Sequence, residues 1–176
     1  MRHSHPSRRR QRGLTLIEVG FAIIIGAALI ALALGAYEVL FGSTNDSAEA
    51  QTVLTVIGSV QGLKNAGTYG ASGTNLVPSL LAANLIPTEW SVNAGTINNT
   101  AGGSVQVVSN GSTASLTTGG YAQHTCVQVA EKVSGTNTVV TSINGGTAIT
   151  GPVDAPTAST QCKTGNANSL QFQTLN

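Results

Sequence analysis

The chain has 176 residues, enough for one domain with a modest core and hardly for two. Its net charge of +1 hides an asymmetry: five of the eight basic residues precede Gly13, and all seven acids come after it. Residues 14–176 hold three basic and seven acidic side chains, a net −4 with no basic stripe, which excludes nucleic-acid binding by the body of the protein. That body is poor in charge and aromatics and rich in Gly, Ser, Thr, Asn and Val, the composition of strands and tight turns outside the cytoplasm.

The first element is the run Arg8-Arg9-Arg10-Gln11-Arg12-Gly13-Leu14-Thr15-Leu16-Ile17-Glu18, followed by nineteen uncharged residues from Val19 to Tyr37. At about 1.5 Å per residue a helix of that length covers roughly 28 Å, close to the hydrocarbon thickness of a bilayer. Nine of its residues are Val, Ile, Leu or Phe. Together they favour insertion by about 3–5 kcal/mol, and the upstream arginines keep that end cytoplasmic. A carboxylate at the mouth of such a span is unusual, since a charge near hydrocarbon ordinarily has a partner.

The pattern of basic leader, Gly13, four mostly apolar residues, Glu18 and then a full span resembles the processing site of type IV pilins. The resemblance implies that a prepilin peptidase cuts between Gly13 and Leu14 and that Leu14 is then N-methylated. It also implies that Glu18 of one subunit meets the new Leu14 amine of the next, which fixes the axial register of a fibre, with Thr15 helping to hold that amine. Leu rather than Phe after the cut points to the type IVb branch, whose members include toxin-coregulated, bundle-forming and PilS-like conjugative thin-pilus major pilins. Three regions are implied: a leader at 1–13, a hydrophobic transmembrane and assembly helix at 14–42, and an extracytoplasmic globular domain at 43–176.

Past the span, Ser43-Thr44-Asn45-Asp46 reads as polar punctuation, and Asp46 and Glu49 are expected to face water. Val53, Leu54, Val56, Ile57, Val60 and Leu63 recur at i, i+3, i+4 and i+7, predicting an amphipathic helix that continues the anchor and ends near Ala66-Gly67. A short helix over 75–87 is expected, with Pro78 in its first turn and Asn84 and Pro87 as stops. Gly102-Gly103 breaks the chain before a predicted strand at Val105–Ser109, an Asn110-Gly111 turn and a strand at Ala114–Thr118. Cys126, Val129, Ala130 and Val133 share helical spacing. Asn144-Gly145-Gly146 reads as a turn, and Ser169–Gln173 alternates as a last strand that should close the sheet.

The order of a small helix ending in Ile86-Pro87 and then Gly-Gly before a Val-rich hairpin also resembles type IVb pilins, although Ala101 stands where that family often has tryptophan. The resemblance implies an α+β type IV pilin fold. In it a long N-terminal α-helix, half transmembrane and half amphipathic, packs on a C-terminal antiparallel β-sheet with a disulfide-closed distal region, and residues 134–165 dominate the outer surface of the fibre.

Cys126 and Cys162 have 35 residues between them and no Cys or His nearby at zinc-site spacing, so no metal site is expected. A disulfide made outside the cytoplasm fits better than two buried free thiols, and closing that loop contributes on the order of 3–4 kcal/mol. No catalytic set emerges. His3 and His5 lie in the leader, His124 reads as a surface or helix-start residue, and Glu89, Glu131 and Asp154 read as solvated charges. The Gly-Gly pairs at 102–103, 119–120 and 145–146 lack the Lys-Ser/Thr of a phosphate loop. The triplets starting at Asn45, Asn98 and Asn110 match a glycosylation acceptor at the rate Ser/Thr-rich chains produce by chance.

The expected function is therefore that of a structural subunit, not an enzyme and without a cofactor: a major pilin that self-assembles into a helical homopolymer for adhesion, aggregation or mating contact. Its implied partners are the prepilin peptidase, the inner-membrane assembly machinery and an outer-membrane secretin. It would reside in the inner membrane as precursor and on the surface as an extracellular pilus. The competing readings are a minor pilin or secretion pseudopilin, and a soluble secreted binding protein cut by signal peptidase after Ala33 or Ala36. N-terminal mass spectrometry of the mature protein separates these: a start at methylated Leu14 is expected, and a start at Leu34 or Tyr37 would favour the soluble reading.

Overall fold

A computed structural model describes residues 16–175. The expected leader 1–13, the cut between Gly13 and Leu14, and Thr15 lie outside the described residues. Glu18 falls in the first turn of the first helix, with its side chain outside them. That helix, α1, runs Leu16–Gly62. The chain divides into two units after Gly42, and the two parts of α1 are taken separately.

In the first part Val19, Phe21, Ile23, Ile24, Ile25, Leu29 and Ile30 are 43–66 % exposed. Among the described residues no helix is long and apolar enough to cross a membrane. The expected span continues through residues 31–37, whose side chains lie outside the described set.

The second unit is an α+β domain. Of the predicted stripe, the second part of α1 buries Val53, Val56, Ile57 and Val60, while Leu54 is half-buried and Leu63 lies just past the helix. The core face extends backward through Ala50, Glu49 and Asp46, the two acids 1 % and 4 % exposed. The sequence reading places these two acids in water; the helical period puts them on the core face instead. The helix ends at Gly62 rather than near Gly67. After it, Asn65 and Thr68 exchange backbone hydrogen bonds of 2.9 and 3.0 Å around Ala66 and Gly67. Those two residues take positive φ of 49° and 84°, so they form a tight turn rather than a helix cap.

A short helix α2 (Val77–Ala82) comes next, with Pro78 in its first turn, where the missing N–H costs nothing. Left-handed Asn84 comes two residues after it. Seven strands build one sheet: β1 (Ser91–Asn93), β2 (Thr96–Asn98), β3 (Ser104–Ser109), β4 (Ala114–Tyr121), β5 (Val139–Ile143), β6 (Ile149–Thr150) and β7 (Asn168–Thr174). All pairings are antiparallel, in the order β1-β2-β3-β4-β7-β5-β6.

Thus β7 lies inside the sheet between β4 and β5 rather than closing its edge. Its register lines up core-facing rows: Val107, Leu116, Phe172 and Thr141 in one, Val105, Thr118, Leu170 and Ile143 in the next. Rows of directly opposed apolar and β-branched side chains are what stabilise such a sheet. The β3–β4 connection is a four-residue loop, Asn110–Thr113, closed by Asn110 N–H to the Thr113 carbonyl at 2.8 Å, and not a two-residue Asn-Gly turn. The short hairpin β1–β2 turns at Ala94 and Gly95, both at positive φ.

Helix α3 (Gln123–Ser134) buries Cys126, Val129, Ala130 and Val133. Helix α4 (Ala155–Gln161) starts at Asp154, whose carboxylate accepts the Thr157 N–H at 2.9 Å. Hydrogen bonds from Thr157 hold the Asp154 carboxyl below its usual range. The Cys126–Cys162 disulfide joins α3 to the end of α4, with Cα atoms 6.0 Å apart.

Two of the Gly-Gly pairs meet. β4 is irregular between Thr118 and Tyr121, where Gly119 and Gly120 pass over Gly103. A Cβ on Gly103 would lie 1.8 Å from the Gly119 carbonyl oxygen, and one on Gly120 would lie 2.9 Å from the Gly103 Cα. The backbones touch only because neither residue has a side chain. Gly103→Ala is expected to lower stability by about 2–4 kcal/mol, read by urea unfolding of the detergent-solubilised full chain with the emission of Trp90, the chain's one tryptophan.

Candidate functional site

The glycine crossing shapes a buried polar cluster around Glu49. Past the β4 irregularity, Tyr121 turns inward and is fully buried. Its hydroxyl donates to Glu49 Oε1 at 2.7 Å. Glu49 Oε2 accepts from the Thr100 hydroxyl at 2.5 Å and from Trp90 Nε1 at 3.3 Å. One carboxylate therefore collects three neutral donors from three separate segments: the stretch after α2, the β2–β3 connection and the end of β4.

Asn99 carries the network to the crossing. Its Nδ2 donates to Thr118 Oγ1 at 2.8 Å and to the Gly119 carbonyl at 2.7 Å, while its Oδ1 accepts the Gly103 N–H at 2.8 Å. Thr118 Oγ1 in turn lies 3.0 Å from the Tyr121 hydroxyl. Burial, reinforced by the Glu49 carboxylate, pushes the Tyr121 phenol far above the ordinary tyrosine range.

One turn earlier on α1, Asp46 pairs with Nε2 of His124 in the first turn of α3, and Ser47 accepts from Lys132 Nζ at the other end of that helix. Two polar contacts thus tie α1 to both ends of α3. His124 is a helix-start residue, as expected, and it has a specific partner.

None of this is a catalytic arrangement. The Glu49 oxygens are engaged by neutral donors in a residue that is 1 % exposed. Among the described residues no group of three His, Cys, Asp or Glu could hold a metal ion. Of the residues singled out in the sequence, Cys126 and Cys162 come together as a disulfide. Gly13, Leu14 and Thr15 lie outside the described residues, as does the side chain of Glu18. Sequence reasoning misses Glu49, Tyr121, Trp90 and Thr100. The available signal is the position of Glu49, four residues before Val53 and seven before Val56, squarely on the apolar stripe.

The unfolded chain releases its tyrosine protons near pH 10, whereas folded Tyr121 keeps its own. Stability is therefore expected to be complete below about pH 10 and to fall above it by up to about 1.4 kcal/mol per pH unit. In the same urea titrations Glu49→Gln, which aims an amide N–H₂ at groups that can only donate or prefer to, is expected to cost about 1–3 kcal/mol at neutral pH. An unchanged midpoint would remove Glu49 from its structural role.

A family model described as PilS N terminal matches residues 43–175. No curated protein matches the chain. Among solved structures the fold is similar to the crystal structure of a type IVb pilin from Salmonella typhi. The TM-score is 0.57 at 21 % identity, over 73 % of this chain and 97 % of that one. The helix packed on an antiparallel sheet, the disulfide and the family match lead to one conclusion: the chain belongs to the PilS N-terminal family and has the type IVb pilin fold, so it is a pilin, a structural subunit and not an enzyme.

Proposed function

We propose that this pilin is the major subunit of a type IVb pilus, a surface fibre for adhesion, aggregation or mating contact. The observation that carries the reading is the apolar run on the first part of α1. Seven large side chains from Val19 to Ile30 stand 43–66 % exposed, far more contiguous greasy surface than a free-standing soluble protein shows. Such a surface is covered either by lipid or by copies of itself. In the proposed cycle it meets both in turn: the inner membrane in the precursor, with residues 14–42 as the anchor, and neighbouring subunits in the fibre.

Glu18 supplies the register in this reading. Removal of residues 1–13 by a prepilin peptidase frees one amine, on Leu14, at the depth of that carboxylate. In a bundle of helices each charge is costly to leave unpaired, and a subunit displaced by one step leaves both alone. Thr15 offers a hydroxyl beside the amine. Assembly proteins of the inner membrane and an outer-membrane secretin are the remaining partners, and the finished fibre is extracellular.

Glu18→Ala is expected to leave cleavage after Gly13 intact while abolishing fibres in sheared surface fractions viewed by electron microscopy. Fibres of normal abundance from that variant would overturn the register role.

A further inference from the structure

Two amide side chains converge on the short segment that carries Cys162. Asn168 opens β7 and is 2 % exposed. Its Nδ2 donates to the carbonyls of Tyr121 at 3.0 Å, Lys163 at 2.8 Å and Gly165 at 3.3 Å. Its Oδ1 accepts the Lys163 N–H at 2.7 Å and Asn144 Nδ2 at 2.9 Å. Asn144, in the turn after β5, also donates to the Gln161 carbonyl at 2.8 Å, and its Oδ1 accepts the Ser169 N–H at 2.9 Å.

A primary amide offers two donors and one oxygen with two lone pairs. Asn168 uses all of these, with its two N–H groups shared among three carbonyls, and Asn144 uses both donors and one lone pair. From the start of α3, Gln123 Nε2 donates to the Cys162 carbonyl at 2.9 Å. The backbone is therefore gripped at Gln161, Cys162, Lys163 and Gly165 by side chains, and none of these bonds runs through sulfur. Cys126 is independently seated in α3, fully buried.

We infer that the Asn144–Asn168 amide pair places the Cys162 segment in its native position without help from the disulfide, so that the folded domain templates the Cys126–Cys162 bond rather than being shaped by it. Bond formation then consists of two thiol–disulfide exchanges. One cysteine thiolate attacks a disulfide oxidant, forming a mixed disulfide and releasing one thiolate. The second cysteine thiolate attacks the protein sulfur of that mixed disulfide and expels the other thiolate. The oxidant gains two electrons, and the two cysteine protons leave to the released thiolates. In an unfolded chain the second exchange must first close a long loop, an entropy cost that the amide pair has already met. The exposed tip from Lys163 to Ala167 consequently keeps one shape in the reduced and oxidised protein.

Hydrogen exchange by mass spectrometry on the detergent-solubilised full chain tests this at the amides of Lys163 and Ser169, which the two asparagines hold. In Cys126→Ser/Cys162→Ser both amides are expected to stay protected to within about tenfold of the wild type. Adding Asn168→Ala should then lower protection about a hundredfold or more, and Asn168→Ala alone should do so with the disulfide intact. Loss of protection in the cysteine-free protein, whether by local fraying or because it fails to fold, overturns the proposal. Full protection in both Asn168→Ala proteins overturns it as well. Should Asn168→Ala unfold the whole domain, as Trp90 emission would reveal, the decision passes to Asn144→Ala, which removes the direct contact to Ser169. Full protection of the Ser169 amide in that variant overturns the proposal, and its loss in a folded domain upholds it.

Discussion

A buried carboxylate held by neutral donors governs how this domain is put together. Apolar burial along α1 favours its packing on the domain, but Val, Ile and Ala tolerate sliding, because one branched aliphatic group replaces another at modest cost. Glu49 does not tolerate it. A shift of the helix by one turn would put Val53 where the hydroxyls of Tyr121 and Thr100 and the indole N–H of Trp90 converge, leaving three donors dry. Directional bonds thus set the axial position of a helix whose greasy face alone would leave it loosely defined.

The sheet has been bent to meet that carboxylate. A regular β4 would alternate straight past Thr118, and the glycine pair 119–120 breaks the alternation so that Tyr121 arrives on the helix side. The break is accommodated only because Gly103 lies beneath it. Asn99 then stitches the two crossing backbones together with bonds to Gly103, Thr118 and Gly119. The missing Cβ atoms of Gly103 and Gly120, with the positive φ of 78° at Gly120, are what make a long-range polar contact possible.

Much of this architecture is legible in the residues themselves. The stripe from Val53 to Val60, Pro78 in its helix, the Val-rich β3, the helix around Cys126 and the alternation of Ser169–Gln173 all come from period and turn chemistry. The failures have specific causes. Asp46 and Glu49 are misplaced when acids are read as solvent-facing, although both sit on the apolar period. β1 and β2 have three residues each, too few to alternate, and their turn uses Ala94-Gly95 rather than Asn-Gly. α4 is spelled Ala-Pro-Thr-Ala-Ser-Thr-Gln, a string of weak helix formers held by the Asp154 cap at one end and by side-chain bonds to the Gln161 and Cys162 carbonyls at the other. β5 does carry a clear Val139, Thr141, Ile143 alternation, a signal as good as that of β7 and absent from the sequence reading. The most specific motif in the chain, around Gly13 and Glu18, concerns residues wholly or partly outside the described ones.

The place of β7 has a consequence for biogenesis. It is last of the seven strands in chain order, yet it is the seam between β1–β4 on one side and β5–β6 on the other. Until it is in place, two half-sheets have raw edges, and neither can complete its hydrogen-bond ladder. Such late, long-range closure is slow compared with helix formation. The domain therefore ripens only once its last strand is available, and a clipped molecule would announce itself as an open edge, ready for proteolysis instead of incorporation.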